Sequence, residues 1–199
     1  MQDAKAIRVR AGRHLGLILL LGVTACTSAA RFINEDLDPL TSVTVTSTRT
    51  PLLFYRDSPS RAAYARNFLH LAPIEINRSG SYRYYIWISA WSTMETADLA
   101  ERRDRLESII VFADGEPVIL KLAGWTPEAI GTSEPTYLKP VASAADAYYE
   151  VTIDQIRHIT NAKDIRLGSG SSRSDSYEPW DDQGAVRESM RAFLEHVAG

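Results

Sequence analysis

FLHLAPIEI (68–76), NRSG (77–80) and SYRYYIWISAW (81–91) make the clearest strand–turn–strand pattern in the chain. Two apolar runs rich in β-branched and aromatic residues flank a turn-forming segment of the length that joins antiparallel strands. Side chains alternate between the faces of a strand. In the second run Tyr85, Trp87 and Trp91 therefore share a face with Arg83 and Ser89, while Tyr82, Tyr84, Ile86, Ile88 and Ala90 take the other. If the isoleucine face is the core, Tyr85, Trp87 and Trp91 form an exposed ladder. Flat aromatic faces bury large area at low entropic cost, so this ladder is a candidate binding surface for sugar rings or a protein partner. The competing arrangement covers both faces, the second by the terminal helix or by the proline-rich connection over 125–141.

Working outward, Thr41 onward alternates with Val43 and Val45 on one side, and Leu52 to Tyr55 is a second short apolar run. Asp114-Gly115 separates Ile109–Phe112 from Val118–Leu122, and an Asp-Gly pair between apolar runs predicts another hairpin. Ala97 to Leu106 is charged and poor in β-branched residues, consistent with a helical turn or a solvated loop. Tyr148 to Ile153 reads as a strand, with Thr152 and Gln155 spaced as a capping box for a short helix through about Ala162. Ile165 to Leu167 is brief and apolar, and Gly168-Ser169-Gly170-Ser171-Ser172 reads as a flexible linker. From Gln183 to Val197, Val186, Met190, Phe193, Leu194 and Val197 recur every three or four residues, predicting an amphipathic helix that Asp181 or Asp182 would cap. Several short antiparallel strands without a βαβ rhythm predict a mainly β domain, a sandwich or half-open barrel with a short helix and a C-terminal helix packed on it.

The N-terminus has a different character. Lys5, Arg8, Arg10 and Arg13 precede the apolar run Leu15 to Val23, then Thr24, Ala25 and Cys26, the only cysteine. This is the order of a secretory signal peptide, and the run is about half the roughly 20 residues a membrane-spanning helix needs. Val23-Thr24-Ala25-Cys26 resembles the lipobox of bacterial lipoproteins. That resemblance implies cleavage before Cys26, a diacylglyceryl group on its sulfur, and usually acylation of the freed amine. Several acyl chains together give stable attachment where one is marginal. Thr27 after the cysteine, in place of Asp, implies the periplasmic face of the outer membrane. Ala72 to Gly80 followed by Tyr84 to Trp87 is similar to proteobacterial lipoproteins of no known activity.

The expected organisation is a signal peptide over 1–25, a lipid-anchored tether over 26–40 and one β-rich domain over 41–199. An edge strand is the alternative for Arg31 to Asn34. Removing 25 of 199 residues leaves 174, enough for one core. Four basic residues and Asp3 leave with the leader, taking the net charge from −3 to −6, which argues against a nucleic-acid partner.

Chemistry is sparse in the sequence. His14 leaves with the leader, and His70, His158 and His196 stand apart from other ligand types, so no metal or cofactor is expected. Gly168-Ser169-Gly170 lacks both the frame of a nucleophile elbow and the lysine of a phosphate loop. Asp36 with Asp38 reads as surface acidity, and Asp181 with Asp182 as the start of a helix. The expectation is a lipid-anchored envelope protein with a non-catalytic binding or structural role, its candidate partners being an envelope protein or glycan. The alternative is a carboxylate-dependent enzyme acting on peptidoglycan or another envelope glycan.

Overall fold

The computed structural model describes residues 31–58, 62–94, 99–169 and 176–198. The leader, Cys26 and residues 170–172 of the glycine–serine segment lie outside the described residues. β4 (Arg66–Arg78) and β5 (Ser81–Ser92) pair along their whole length, from Asn67 opposite Ser92 to Arg78 opposite Ser81. Ser79 (φ 52°) and Gly80 (φ 87°) both take the left-handed region. That is the two-residue type I′ turn, whose twist matches that of the flanking strands. Asn77 Oδ1 accepts the Gly80 N–H at 2.8 Å. Asp114 (φ 50°) and Gly115 (φ 86°) join β6 (Ile109–Ala113) to β7 (Glu116–Ile119) in the same way.

The remaining strands are β1 (Ile33–Asp38), β2 (Val43–Thr48), β3 (Leu52–Asp57), β8 (Lys121–Gly124), β9 (Ala145–Val151), β10 (Ile165–Ser169) and β11 (Ser176–Pro179). Among the described residues they form one antiparallel sheet, ordered β7-β6-β10-β11-β3-β4-β5-β9-β8, with β1 and β2 added beside β4. The two ends of that path, β7 and β8, are consecutive in the chain with only Leu120 between them. The segment read from sequence as one strand is thus bent. Its first half pairs with β6 and its second with β9, and buried Leu120 turns inward at the bend. The sheet is thereby a nearly closed barrel rather than a sandwich, and closure leaves few unpaired edges.

β2 and β3 show a second interrupted strand. Both pair with β4, and the break between Ser47 and Leu52 lies opposite Ala72 and Pro73. The Pro73 carbonyl accepts the Tyr137 hydroxyl at 3.2 Å instead of a strand N–H. In a strand, N–H and C=O of one residue point to the same side, so the N–H that proline lacks would have faced this gap. A central proline therefore leaves no ladder bond unmade.

The barrel wall has a core on each side. Inside, Leu69, Leu71, Ile86, Ile88 and Tyr149 meet Val111 and Leu167 from the opposite wall. Helices α2 (Ile153–Asn161) and α3 (Gly184–Ala198) add Ile156, Ile159, Met190 and Phe193 to this core, and α1 (Leu99–Glu107) adds Leu106. Outside, Val43, Val45, Ala72, Ile74, Tyr85, Trp87 and Tyr148 are covered by Ile130 and Tyr137 of the proline-rich connection. The expected capping box is present, since Thr152 Oγ1 accepts the Gln155 N–H at 3.2 Å and Gln155 Oε1 accepts the Thr152 N–H at 2.9 Å. Asp182 Oδ1 accepts the Gly184 N–H at 3.3 Å at the start of α3.

Two expectations change, and one strand lies where none was expected. The tether does not extend through residue 40, because β1 pairs with β2 from Ile33 opposite Thr48 to Asp38 opposite Val43, burying Ile33. The alternative of an edge strand over Arg31 to Asn34 holds at Ile33 and Asn34, and the strand runs on to Asp38. β11, which carries no alternating pattern, exists because β10 and β3 flank it. Gly168 belongs to β10, where a Cβ would lie 3.0 Å from the Phe112 ring, so its lack of a side chain serves packing. No helix among the described residues is long and apolar enough to cross a membrane.

Candidate functional site: an aromatic patch on the outer barrel wall

The expected ladder of Tyr85, Trp87 and Trp91 is sealed over two thirds of its length. Tyr85 and Trp87 are each 1% exposed, and Trp87 stacks on Tyr137 with ring centroids 4.7 Å apart. Tyr137 is pinned in turn, its hydroxyl reaching Thr48 Oγ1 at 3.1 Å as well as the Pro73 carbonyl. Over these two residues of β5 the competing arrangement is the observed one, the proline-rich connection covering this face through Ile130 and Tyr137. As a surface, Tyr85 and Trp87 are withdrawn.

Trp91 stays at the margin, half-buried, and other aromatics join it there. Phe68 of β4 stacks on Trp91 at 4.3 Å, Trp180 lies 5.7 Å from Phe68, and Tyr55 of β3 meets Trp180 edge-on at 5.1 Å. Arg66 places its guanidinium 5.6 Å from the Tyr55 ring and 5.3 Å from the Trp180 ring, held by Asp57 at 2.9 Å. Tyr55, Trp91 and Trp180 all remain half-exposed. Pairing sets this array: Tyr55 is opposite Phe68, Phe68 is opposite Trp91, and the Trp180 N–H donates to the Leu53 carbonyl at 2.9 Å. The Gln183 amide makes two 2.8 Å bonds to the N–H and C=O of Leu53, fixing the turn that carries Trp180. No sequence signal joined Trp180 to Tyr55 because β11 was not legible.

Beside the patch, register brings together His70, Ser89 and Asp146 on adjacent strands. These are the residue types of a hydrolytic triad in an unsuitable order. A nucleophilic serine gives its proton to a histidine that a carboxylate orients. Here Ser89, 0% exposed, donates directly to Asp146 Oδ1 at 2.6 Å, and serine rather than histidine is the middle member. Burial raises the Asp146 carboxyl, opposed by Ser89 and by Lys139 at 3.7 Å, and burial lowers His70. The row is a packed polar seam in the wall.

Asp36 and Asp38 also separate. Asp36 is exposed, whereas Asp38 is buried and accepts the N–H groups of Leu40 (3.0 Å) and Thr41 (3.1 Å) and both the N–H and hydroxyl of Ser133. Those donors, the Ser133 N–H foremost, hold its carboxyl well below the usual range. Asp38 thus fastens the β1–β2 turn to the proline-rich connection. His158 lies 3.5 Å from Glu116, and Asp181 takes a positive φ of 64° in the turn before α3. No group of residues suited to hold a metal occurs among the described residues.

A second polar row lies on the inner side, under α3. Glu35 is opposite Thr46, Thr46 is opposite Glu75, and Glu75 is opposite Tyr84. His196 of the last turn of α3 meets Glu35, Nε2 to Oε2 at 2.9 Å. Glu75 is 5% exposed and its Oε2 has no partner. Burial raises its carboxyl above the usual range, and the Tyr84 side chain and the His196 charge oppose that rise. A carboxyl raised in the folded state stabilises it only while protonated. Stability from Glu75 is therefore present below the unfolded value of about 4.3 and is lost as pH rises through the native one. Glu75→Gln keeps the size and stays neutral. It is expected to raise stability by about 1 kcal/mol at pH 7.5, roughly 2–4 °C in Tm, and by much less at pH 4. Denaturant titrations at the two pH values check this; an equal gain at both would assign it to the amide rather than to the removed charge.

Comparisons with protein-family models, with curated proteins and with solved structures find no match to this chain.

Proposed function

We propose that this chain is a lipoprotein of the cell envelope, held through acylated Cys26 at the periplasmic face of the outer membrane, with a non-catalytic role in binding an envelope protein. The observation that carries the binding role is the preorganised patch of Tyr55, Trp91, Trp180 and Arg66. Its composition is that of interface hot spots, where tryptophan, tyrosine and arginine contribute most of the energy. Phe68 beneath and Asp57 beside it hold the rings and the guanidinium in place, so ordering costs on binding are small. The anchor also sets the reach of the patch. β1 begins at Ile33, so six residues separate it from Cys26, a span of at most about 25 Å when extended. The barrel works close to its membrane.

The test is capture of partners from envelope membranes after photo-crosslinking with the anchored protein. A Trp91→Ala, Trp180→Ala variant is expected to lose the specific crosslinked partner while keeping its fold. Identical crosslinks from both proteins would remove the patch from binding. Trp87 is unsuitable for this comparison because its truncation opens the outer core.

A second reading is favoured by the inner polar row. Glu35 and Glu75 are two strands apart, about 9–10 Å by strand spacing. Inverting glycosidases hold two carboxyls about 6.5–9.5 Å apart, one of them with a raised pKa, and burial raises the Glu75 carboxyl here. If the row is catalytic, purified protein releases soluble fragments from peptidoglycan and Glu75→Gln abolishes release. Unchanged release by that variant would end this reading.

A further inference from the structure

We propose that the cavity between α1 and the start of β4 is a binding site for a small inorganic monovalent anion of the halide class, with Arg102 as its principal ligand. α1 buries only Arg102 and Leu106. The Arg102 residue is 5% exposed, its Nη1 donates to the Ser143 carbonyl, and its Nη2 has no partner. Among the described residues no carboxylate pairs with it. The neighbouring Arg105 is already matched by Glu101 at 2.6 Å. Removing a charged group from water without a counter-charge is costly, so a buried guanidinium is normally paired. Arg102, with its charge unmatched and one donor orphaned, lines a cavity.

That cavity has the right scale and chemistry. Its volume is about 20 Å³, lined by Arg102 and Arg105 together with Asn67, Trp91, Leu106 and Ile109. A space must reach roughly 10–15 Å³ to hold one water, so this one takes a single small ion and excludes a phosphate ester or a fatty acid. Trp91, whose indole N–H is a second buried donor without a partner, is among its walls. The remaining lining is largely apolar, and in such surroundings the attraction between an anion and a guanidinium is stronger than in water. The ion would supply the counter-charge that Arg102 lacks and fasten this helix beside the aromatic patch.

The test uses the full chain in detergent at constant ionic strength, exchanging sodium methanesulfonate, whose anion is too large to enter, for sodium bromide. A saturable rise of a few degrees in the unfolding midpoint is expected. Arg102→Met, which keeps the aliphatic stem and removes the charge, is expected to abolish that rise. Equal bromide dependence in both proteins would overturn the proposal. Should the variant fail to fold, crystals of the unaltered protein soaked in bromide decide: an anomalous peak within hydrogen-bond distance of Arg102 Nη2 supports the site. A peak-free map there, or a water in that position, overturns it.

Discussion

Trp87→Ala is expected to lower the stability of the folded chain by about 3–5 kcal/mol, the range for truncating a fully buried large aromatic residue. Trp87 is 1% exposed and lies face to face with Tyr137 across an interplanar angle of 21°. Its indole N–H has no partner, so the loss comes from packing and stacking rather than from a hydrogen bond. The consequence reaches further than the cavity. Tyr137 holds the proline-rich connection on the barrel through Thr48 and Pro73, and without the indole beneath it that cover loosens. Urea denaturation measures the free energy, and limited proteolysis between Thr132 and Val141 measures the loosening. Trp87→Phe, which keeps a ring for Tyr137 to stack on, is expected to cost markedly less. If alanine and phenylalanine variants were equally stable, stacking would not be what seals this face.

Phe193→Ala is the second large effect, again about 3–5 kcal/mol. Phe193 is 0% exposed and anchors α3 over the inner core. The same helix delivers His196 to Glu35 and covers the row containing Glu75. Weakening its seat readmits water to Glu75, which removes the reason for its raised carboxyl. The stabilisation expected of Glu75→Gln at pH 7.5 should therefore shrink or vanish in the Phe193→Ala background. A double-mutant cycle at that pH reads the coupling directly. Additive effects would mean that α3 does not control the burial of Glu75.

Much of the barrel was legible locally. The Ser79-Gly80 and Asp114-Gly115 turns need left-handed backbone at two successive residues, and few residue pairs accept it, so both hairpins follow from short segments. The Thr152–Gln155 capping box and the apolar stripe of α3 are equally local, depending on spacings of three and four residues. The barrel's closure was not legible, because Val118 to Leu122 reads as one run and only its two different neighbours reveal the bend at Leu120. The docking of Ile33–Asp38 is legible only as an alternative over Arg31 to Asn34, because its acidic residues look solvated until Asp38 is seen taking four hydrogen bonds from two separate loops. The patch was visible only in part. Trp91 was singled out, whereas Tyr55, Phe68 and Trp180 are brought to it by β3, β4 and β11.

Turn chemistry and side-chain alternation within a dozen residues are enough to make this chain an antiparallel β domain, and an apolar run ending in Cys26 is enough to motivate a lipid anchor. Which tryptophans meet water, which carboxyl sits unpartnered in the wall and which arginine lacks a counter-charge were decided by contacts between segments 40 to 160 residues apart. Burial is a property of what lands on a face, and alternation specifies only that the face exists.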